Sequence, residues 1–203
     1  MPRVFSEADR LAIRRTLIDQ GKRAFLRYGI RKTNIDELAA AAGIAKGTFY
    51  NFFESKEDLC LAIFDEEEIA MRSGADAILA SHEGAAEALR AVMEYALDFV
   101  RTDSLLAVIR ASGEFALLAR GVGREKLAEH MSTDVAFVGR LLDALRKKGG
   151  SCPVETEVVA AILRAIVVLT FHEEEIGTQL FAQVMELLKD WISRGIVNGG
   201  VEP

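Results

Sequence analysis

Lys46, Thr48, Tyr50 and Asn51 lie within six consecutive residues of a short stretch beginning at Ala45. These are the side-chain types that read and grip a polyanion. Lysine donates to guanine, the threonine methyl touches thymine, asparagine pairs with adenine, and tyrosine adds a donor for phosphate oxygens. Gly47 among them lets a helix start approach another backbone closely. Thr33 upstream and Lys56 downstream could each add one more donor to a phosphate. Taken singly, a lysine or threonine on a helix is ordinary solvated surface, and Phe49, Phe52 and Phe53 read as core aromatics. The spacing of the set carries the inference.

Elements able to position such a set surround it. Thr33 can cap a helix whose buried face is Ile35, Leu38, Ala39 and Ala42, at helical offsets 0, 3, 4 and 7. The alanines allow close helix packing, Gly43 makes a turn, and Ile44 returns to the core. A third short helix is predicted over 45–52, with Phe49 and Phe53 facing inward as an i, i+4 pair. Ser55 opens a fourth helix with Lys56, Glu57 and Asp58 in its first turn. Ahead of them, a first helix runs from Glu7, capped by Ser6, to Tyr28. Its apolar row is Leu17, Ile18, Gly21, Phe25 and Tyr28, and Gly29 is suited to the positive-φ residue that ends a helix. This is the layout of a helix-turn-helix, whose second helix enters the DNA major groove.

Charge supports the same partner. The chain of 203 residues carries a net −6, but residues 1–56 hold 11 Lys and Arg against 6 Asp and Glu, a surplus of +5. The remaining residues carry −11. A basic head on an acidic body orients an encounter with a polyanion.

The rest of the chain reads as helix. Its three prolines are Pro2, Pro153 and Pro203, no alternating strand pattern appears, and Ala, Leu, Glu and Arg dominate. Beyond a fourth helix to about Leu79, helices are expected near 84–102, 104–119, 124–148, 154–172 and 176–194, roughly nine in all. The last two look apolar over wide faces: VVAAILRAIVVLTF in one, and Phe181, Val184, Met185, Leu188, Trp191 and Ile192 in the other. The fold class is all-α: a three-helix DNA-binding head over 1–56 and a helical body over 57–203.

From about residue 10 to 62 this pattern resembles the TetR (tetracycline-repressor) family of bacterial regulators. The resemblance rests on Leu17-Ile18, Gly21, Phe25, Gly29, Thr33, Leu38-Ala39, Ala42-Gly43, Lys46-Gly47-Thr48, Tyr50, Phe53 and Lys56-Glu57. It departs from the family at Ala45, where a serine cap is common, and at Gly21, where alanine is common. The resemblance implies DNA contacts from Thr33, Lys46, Gly47, Thr48, Tyr50, Asn51 and Lys56, and a homodimer through the last two helices. It also implies a double-stranded operator and a small-molecule effector pocket in the body. Candidate pocket residues are Tyr95, Phe99, Arg110, Phe115, Met131 and Phe137, with His130 nearby in sequence; Arg164, a lone charge in an apolar helix, is expected to face the dimer interface or the pocket.

Other classes fit less well. No nucleophile elbow, phosphate loop or histidine–carboxylate motif speaks for an enzyme. Cys60 and Cys152 match no metal spacing, His82, His130 and His172 do not cluster in sequence, and no cofactor is called for. The longest apolar stretch, 158–169, is too short for a bilayer and holds Arg164, and the N-terminus lacks an apolar signal core, so a cytoplasmic protein without a membrane partner is expected. The expected function is a ligand-responsive regulator, a repressor released from a palindromic operator by a small molecule. The alternative is a DNA-bound architectural or protein-interaction factor of the same fold without an inducer.

Overall fold

The computed structural model describes residues 5–102 and 104–199, and among them all regular structure is helical. Eleven helices follow in order: α1 (Glu7–Lys32), α2 (Ile35–Ala41), α3 (Lys46–Phe49), α4 (Lys56–Ser81), α5 (Ala85–Thr102), α6 (Leu105–Ala111), α7 (Phe115–Val122), α8 (Arg124–Lys147), α9 (Thr156–Leu169), α10 (Glu173–Ile176) and α11 (Thr178–Asn198).

Local signals explain most boundaries. Ser6 caps α1 reciprocally: its Oγ accepts the Asp9 N–H at 3.1 Å, and its own N–H reaches the Asp9 carboxylate at 3.0 Å. Ser55 Oγ accepts the Asp58 N–H at the start of α4. The expected end of α1 at Gly29 is a break rather than a stop. Gly29 takes φ 76°, and one further turn, Ile30–Lys32, follows it. Thr33 then closes α1 instead of opening α2, its hydroxyl donating to the Gly29 carbonyl at 2.8 Å. The cap of α2 is Asn34, whose Oδ1 accepts the Asp36 N–H. Its α-helical part shorter than expected, α3 is extended to Phe53 by tight backbone turns at Phe52 and Phe53.

Two expected helices are divided. The stretch 104–119 breaks at Gly113 (φ 70°) into α6 and α7. The last helix is preceded by the short α10 and by Gly177 (φ 104°), and it runs on to a left-handed cap at Gly199.

The chain forms two compact units. The first runs to Glu67 and takes in Leu105–Leu127; the second holds Glu68–Ser104 and the chain from Ala128 on. The first is built on Leu17, Ile18, Phe25, Phe49, Leu59 and Ile63, together with Leu105 and Ile109 from α6. Tyr28, expected in this core, is about half exposed beneath the Arg27 guanidinium. Gly21 is explained by packing: a Cβ there would lie 2.8 Å from Leu59 Cδ2. The second unit centres on Leu89, Val92, Leu142, Leu145 and Val159, with Phe181, Met185 and Ile196 from one face of α11.

Candidate nucleic-acid interface

The recognition surface is anchored from beneath by aromatic side chains. Phe49 is fully buried and Phe53 nearly so, with ring centroids 6.0 Å apart. Tyr50 stands edge-on to Phe49 at 5.5 Å and remains half exposed. This contact fixes the tyrosine ring while leaving part of it to solvent.

Around that anchor, Lys46, Gly47, Tyr50 and Asn51 are exposed and Thr48 is half-buried. A Cβ on Gly47 would meet nothing within 4 Å, so the chain itself does not demand glycine there. Lys46 Nζ lies 2.8 Å from Asp36 Oδ2 across the turn, and this hydrogen bond and charge raise the lysine pKa. No side chain caps α3 at Ala45.

Thr33 and Lys56 are placed differently. Thr33 is buried, and its hydroxyl proton is given to Gly29. The Lys56 ammonium donates to the carbonyls of Ile30, Arg31 and Thr33 at 2.9, 3.1 and 2.8 Å, using all three of its protons. Both side chains shape the corner between α1 and α2. Neither has a donor to spare for a phosphate in this arrangement.

Sequence reasoning missed the acidic partners of this corner. Glu114, between α6 and α7, accepts the N–H groups of Ile30 and Arg31. Glu67, buried near the end of the unit's share of α4, accepts the Leu105 N–H and pairs with Lys22 at 3.0 Å. Lys126 bridges Glu54 and Asp58. No local pattern announces these pairs, because each links residues 38 to 84 positions apart.

In the second unit, Tyr95 and Phe99 are neighbours on α5, ring centroids 6.3 Å apart. Tyr95 lies so close to Gly74 that a Cβ there would sit 2.2 Å from the phenol oxygen. Phe137 is buried, with the Arg72 and Arg140 guanidinium carbons 5.7 and 5.8 Å from its ring centre. Tyr95 and Phe137 pack as part of the hydrophobic core. The side chains of Arg110, Phe115 and Met131 lie outside the described residues. A cavity of about 300 Å³ opens elsewhere, lined by Pro153, Val154, Ile162, Ile192, Gly195, Ile196 and Gly199.

Arg164 joins a charged cluster on α4, α8 and α9. Arg72 bonds Glu68, Thr133 and Asp134 at 2.7, 3.0 and 2.9 Å, and His130 meets Glu68 at 3.1 Å. Arg164 Nη1 lies 4.0 Å from Asp134 and, like Arg72 Nε, has no hydrogen-bond partner among the described residues. Burial, reinforced by Glu68, raises the Asp134 pKa above its usual value.

Hydrophobic side chains also remain at the surface of α9 and α11. Val158, Leu180, Leu187 and Trp191 are 45, 58, 42 and 63% exposed, with Ala161 and Ala165 exposed beside Val158 on its helix face. Trp191, expected on the same stripe as Phe181 and Met185, thus lies on the opposite side of α11 from the core.

Two short helices joined by a glycine turn, the second presenting polar side chains over an aromatic base, define a helix-turn-helix protein. Residues 17–63 match the family model of bacterial regulatory proteins, tetR family. The chain is similar to the transcriptional repressor Rv1474c of Mycobacterium tuberculosis, 27% identical over 81% of this chain and 80% of that one. Its fold matches a TetR-family regulator of Pectobacterium atrosepticum over 98% of this chain and all of that one, with TM-score 0.70 and 20% identity. It also matches the regulator FadR of Bacillus subtilis, solved with stearoyl-CoA, over 90% of this chain and 98% of that one, with TM-score 0.64 and 17% identity. The family match thus covers the helix-turn-helix head, and the chain as a whole shares the fold of TetR-family regulators. No helix among the described residues is long and apolar enough to cross a membrane.

Proposed function

We propose that the chain is a homodimeric repressor that binds a two-fold operator through Lys46, Gly47, Thr48, Tyr50 and Asn51 and is released by a small molecule. The exposed polar surface of α3, held on buried Phe49, is the observation that carries the DNA reading. Thr33 and Lys56 serve it by fixing the corner that aims α2 and α3. The apolar surface of α9 and α11 supports the dimer, since a second copy would cover Val158, Leu187 and Trp191 and space two reading heads for a palindrome.

The similarity to a named repressor favours negative regulation, and the fold shared with a stearoyl-CoA complex favours an acyl-CoA effector. The effector acts by binding the DNA-incompetent conformation more tightly than the competent one. Selection from a random duplex pool, followed by salt-dependent binding measurements, tests the reading. A palindromic consensus bound by two chains is expected, with weaker binding for Lys46→Ala and release by stearoyl-CoA. Absence of salt-dependent binding to any selected duplex would overturn the DNA role; binding indifferent to acyl-CoA would leave the interaction factor without an inducer.

A further inference from the structure

The positive charge of the head does not lie in its helix-turn-helix. Residues 33–56 hold two lysines against three acidic residues, whereas α1 holds eight Lys and Arg against three. Of those two lysines, Lys46 is paired with Asp36 and Lys56 is engaged by three carbonyls. A polyanion approaching this surface therefore finds most of its unengaged cations on α1.

Two of them are held beside the recognition surface. The Arg10 guanidinium carbon lies 5.4 Å from the Phe52 ring centre, and that of Arg14 lies 5.4 Å from Phe53. Arg10 and Arg14 are four residues apart, on one face of α1, and both are exposed. Phe52 and Phe53 directly follow Tyr50 and Asn51, so the two guanidinium groups flank the end of the surface that faces the groove. Stacking on a ring leaves the N–H edge of a guanidinium available for the bidentate geometry that a phosphate accepts. It also restricts the side chain beforehand, which lowers the ordering cost on binding. Arg14 has a competing partner, Glu66, at 4.0 Å, but both side chains are about half exposed. Such a pair is weak and readily exchanged for a phosphate.

We infer that Arg10 and Arg14 form a phosphate clamp next to the recognition helix, gripping the DNA backbone independently of base sequence. This rests on the DNA-binding reading and adds a contact surface to it. Arg23 provides the control. It is exposed, makes no ion pair among the described residues, and lies nine residues beyond Arg14, about half a turn round the helix.

The test is fluorescence anisotropy with the duplex selected by the wild-type protein, over a salt series, for Arg10→Ala, Arg14→Ala and Arg23→Ala. Each lost phosphate contact lowers the slope of log K against log salt by about 0.9 per bound chain, or about 3.5-fold in affinity across a fourfold change in salt. Arg10→Ala and Arg14→Ala are expected to show that loss on selected and scrambled duplexes alike, with unchanged thermal unfolding, while Arg23→Ala keeps the wild-type slope. Unchanged slopes for Arg10→Ala and Arg14→Ala overturn the clamp, as does an equal loss with Arg23→Ala, which would mark a general charge effect. Failure of the wild-type protein to bind any duplex would instead overturn the DNA reading beneath it.

Discussion

The Glu114 carboxylate accepts the backbone N–H groups of both Ile30 and Arg31, at 2.7 and 3.2 Å. The break at Gly29 frees these two donors from the α1 ladder, and a carboxylate 84 residues away replaces the lost carbonyls. At the other end of the same turn, the Lys56 ammonium takes the carbonyls of Ile30, Arg31 and Thr33. An anion at the amino end and a cation at the carboxyl end match the polarity of the turn's own dipole. This turn leads directly into the cap of α2, so two charged side chains fix the angle at which the reading helices leave α1.

Glu114→Ala should therefore loosen the corner while leaving the core intact. A hydrogen bond to a charged group contributes about 1.5–3 kcal/mol, less where solvent reaches it. A thermal shift of a few degrees and faster amide exchange at Ile30 and Arg31 are expected, with a severalfold loss of operator affinity. Glu114→Gln retains one acceptor oxygen and should fall between the two. Unaltered exchange at both amides in Glu114→Ala would refute the assignment.

Gly29→Ala tests the same corner from the backbone side. At φ 76° a Cβ brings strain of about 1–2 kcal/mol, and here it would also sit 3.0 Å from Glu114 Oε2. The variant should unfold at lower denaturant with an unchanged slope. Its loss should shrink in a Glu114→Ala background, where the crowding carboxylate is gone. Additive losses would show that strain alone is at work.

How much of this was legible beforehand depends on the range of the interaction. Ser6, Ser55, Gly43 and the Phe49–Phe53 pair act within one or two turns, and their spacing alone places them. By sequence Thr33 and Asn34 offer the same capping chemistry; what decides between them is Gly29, whose break turns the Thr33 hydroxyl backwards and leaves the cap to Asn34. Glu114, Glu67 and the Arg72 cluster were invisible, since a carboxylate on a helix looks solvated until its distant partner is known. The two faces of α11 could not be separated either. Apolar residues cover both, and only packing shows that Met185 faces the core while Trp191 faces outward.

The outward face gives a prediction about assembly. Leu187 and Trp191 are four apart on α11, 42 and 63% exposed. If a second copy covers them, placing a charge there leaves it desolvated in the interface. Trp191→Glu should raise the dimer dissociation constant at least a hundredfold while leaving helicity unchanged, as measured by light scattering across a dilution series. An unaltered mass at low micromolar concentration would place the dimer seam elsewhere.

The charged cluster predicts an unusual pH dependence. Asp134 faces Glu68, Arg72, His130 and Arg164, and burial outweighs the arginine to raise its pKa above the ordinary 3.8. A carboxyl whose folded pKa is raised holds its proton more tightly in the folded state. Its contribution is therefore fully present below the unfolded pKa and is lost as pH rises through the raised folded value. This is the reverse of a salt-bridged carboxylate such as Glu186, whose pKa is lowered by Lys189. Urea unfolding at intervals from about pH 3.5 to 7 should thus show the wild type losing stability relative to Asp134→Asn as pH rises. The divergence should set in above the ordinary carboxylate value of 3.8. Parallel curves, or a wild type that gains on the variant with rising pH, would mean that Arg72 rather than burial governs Asp134.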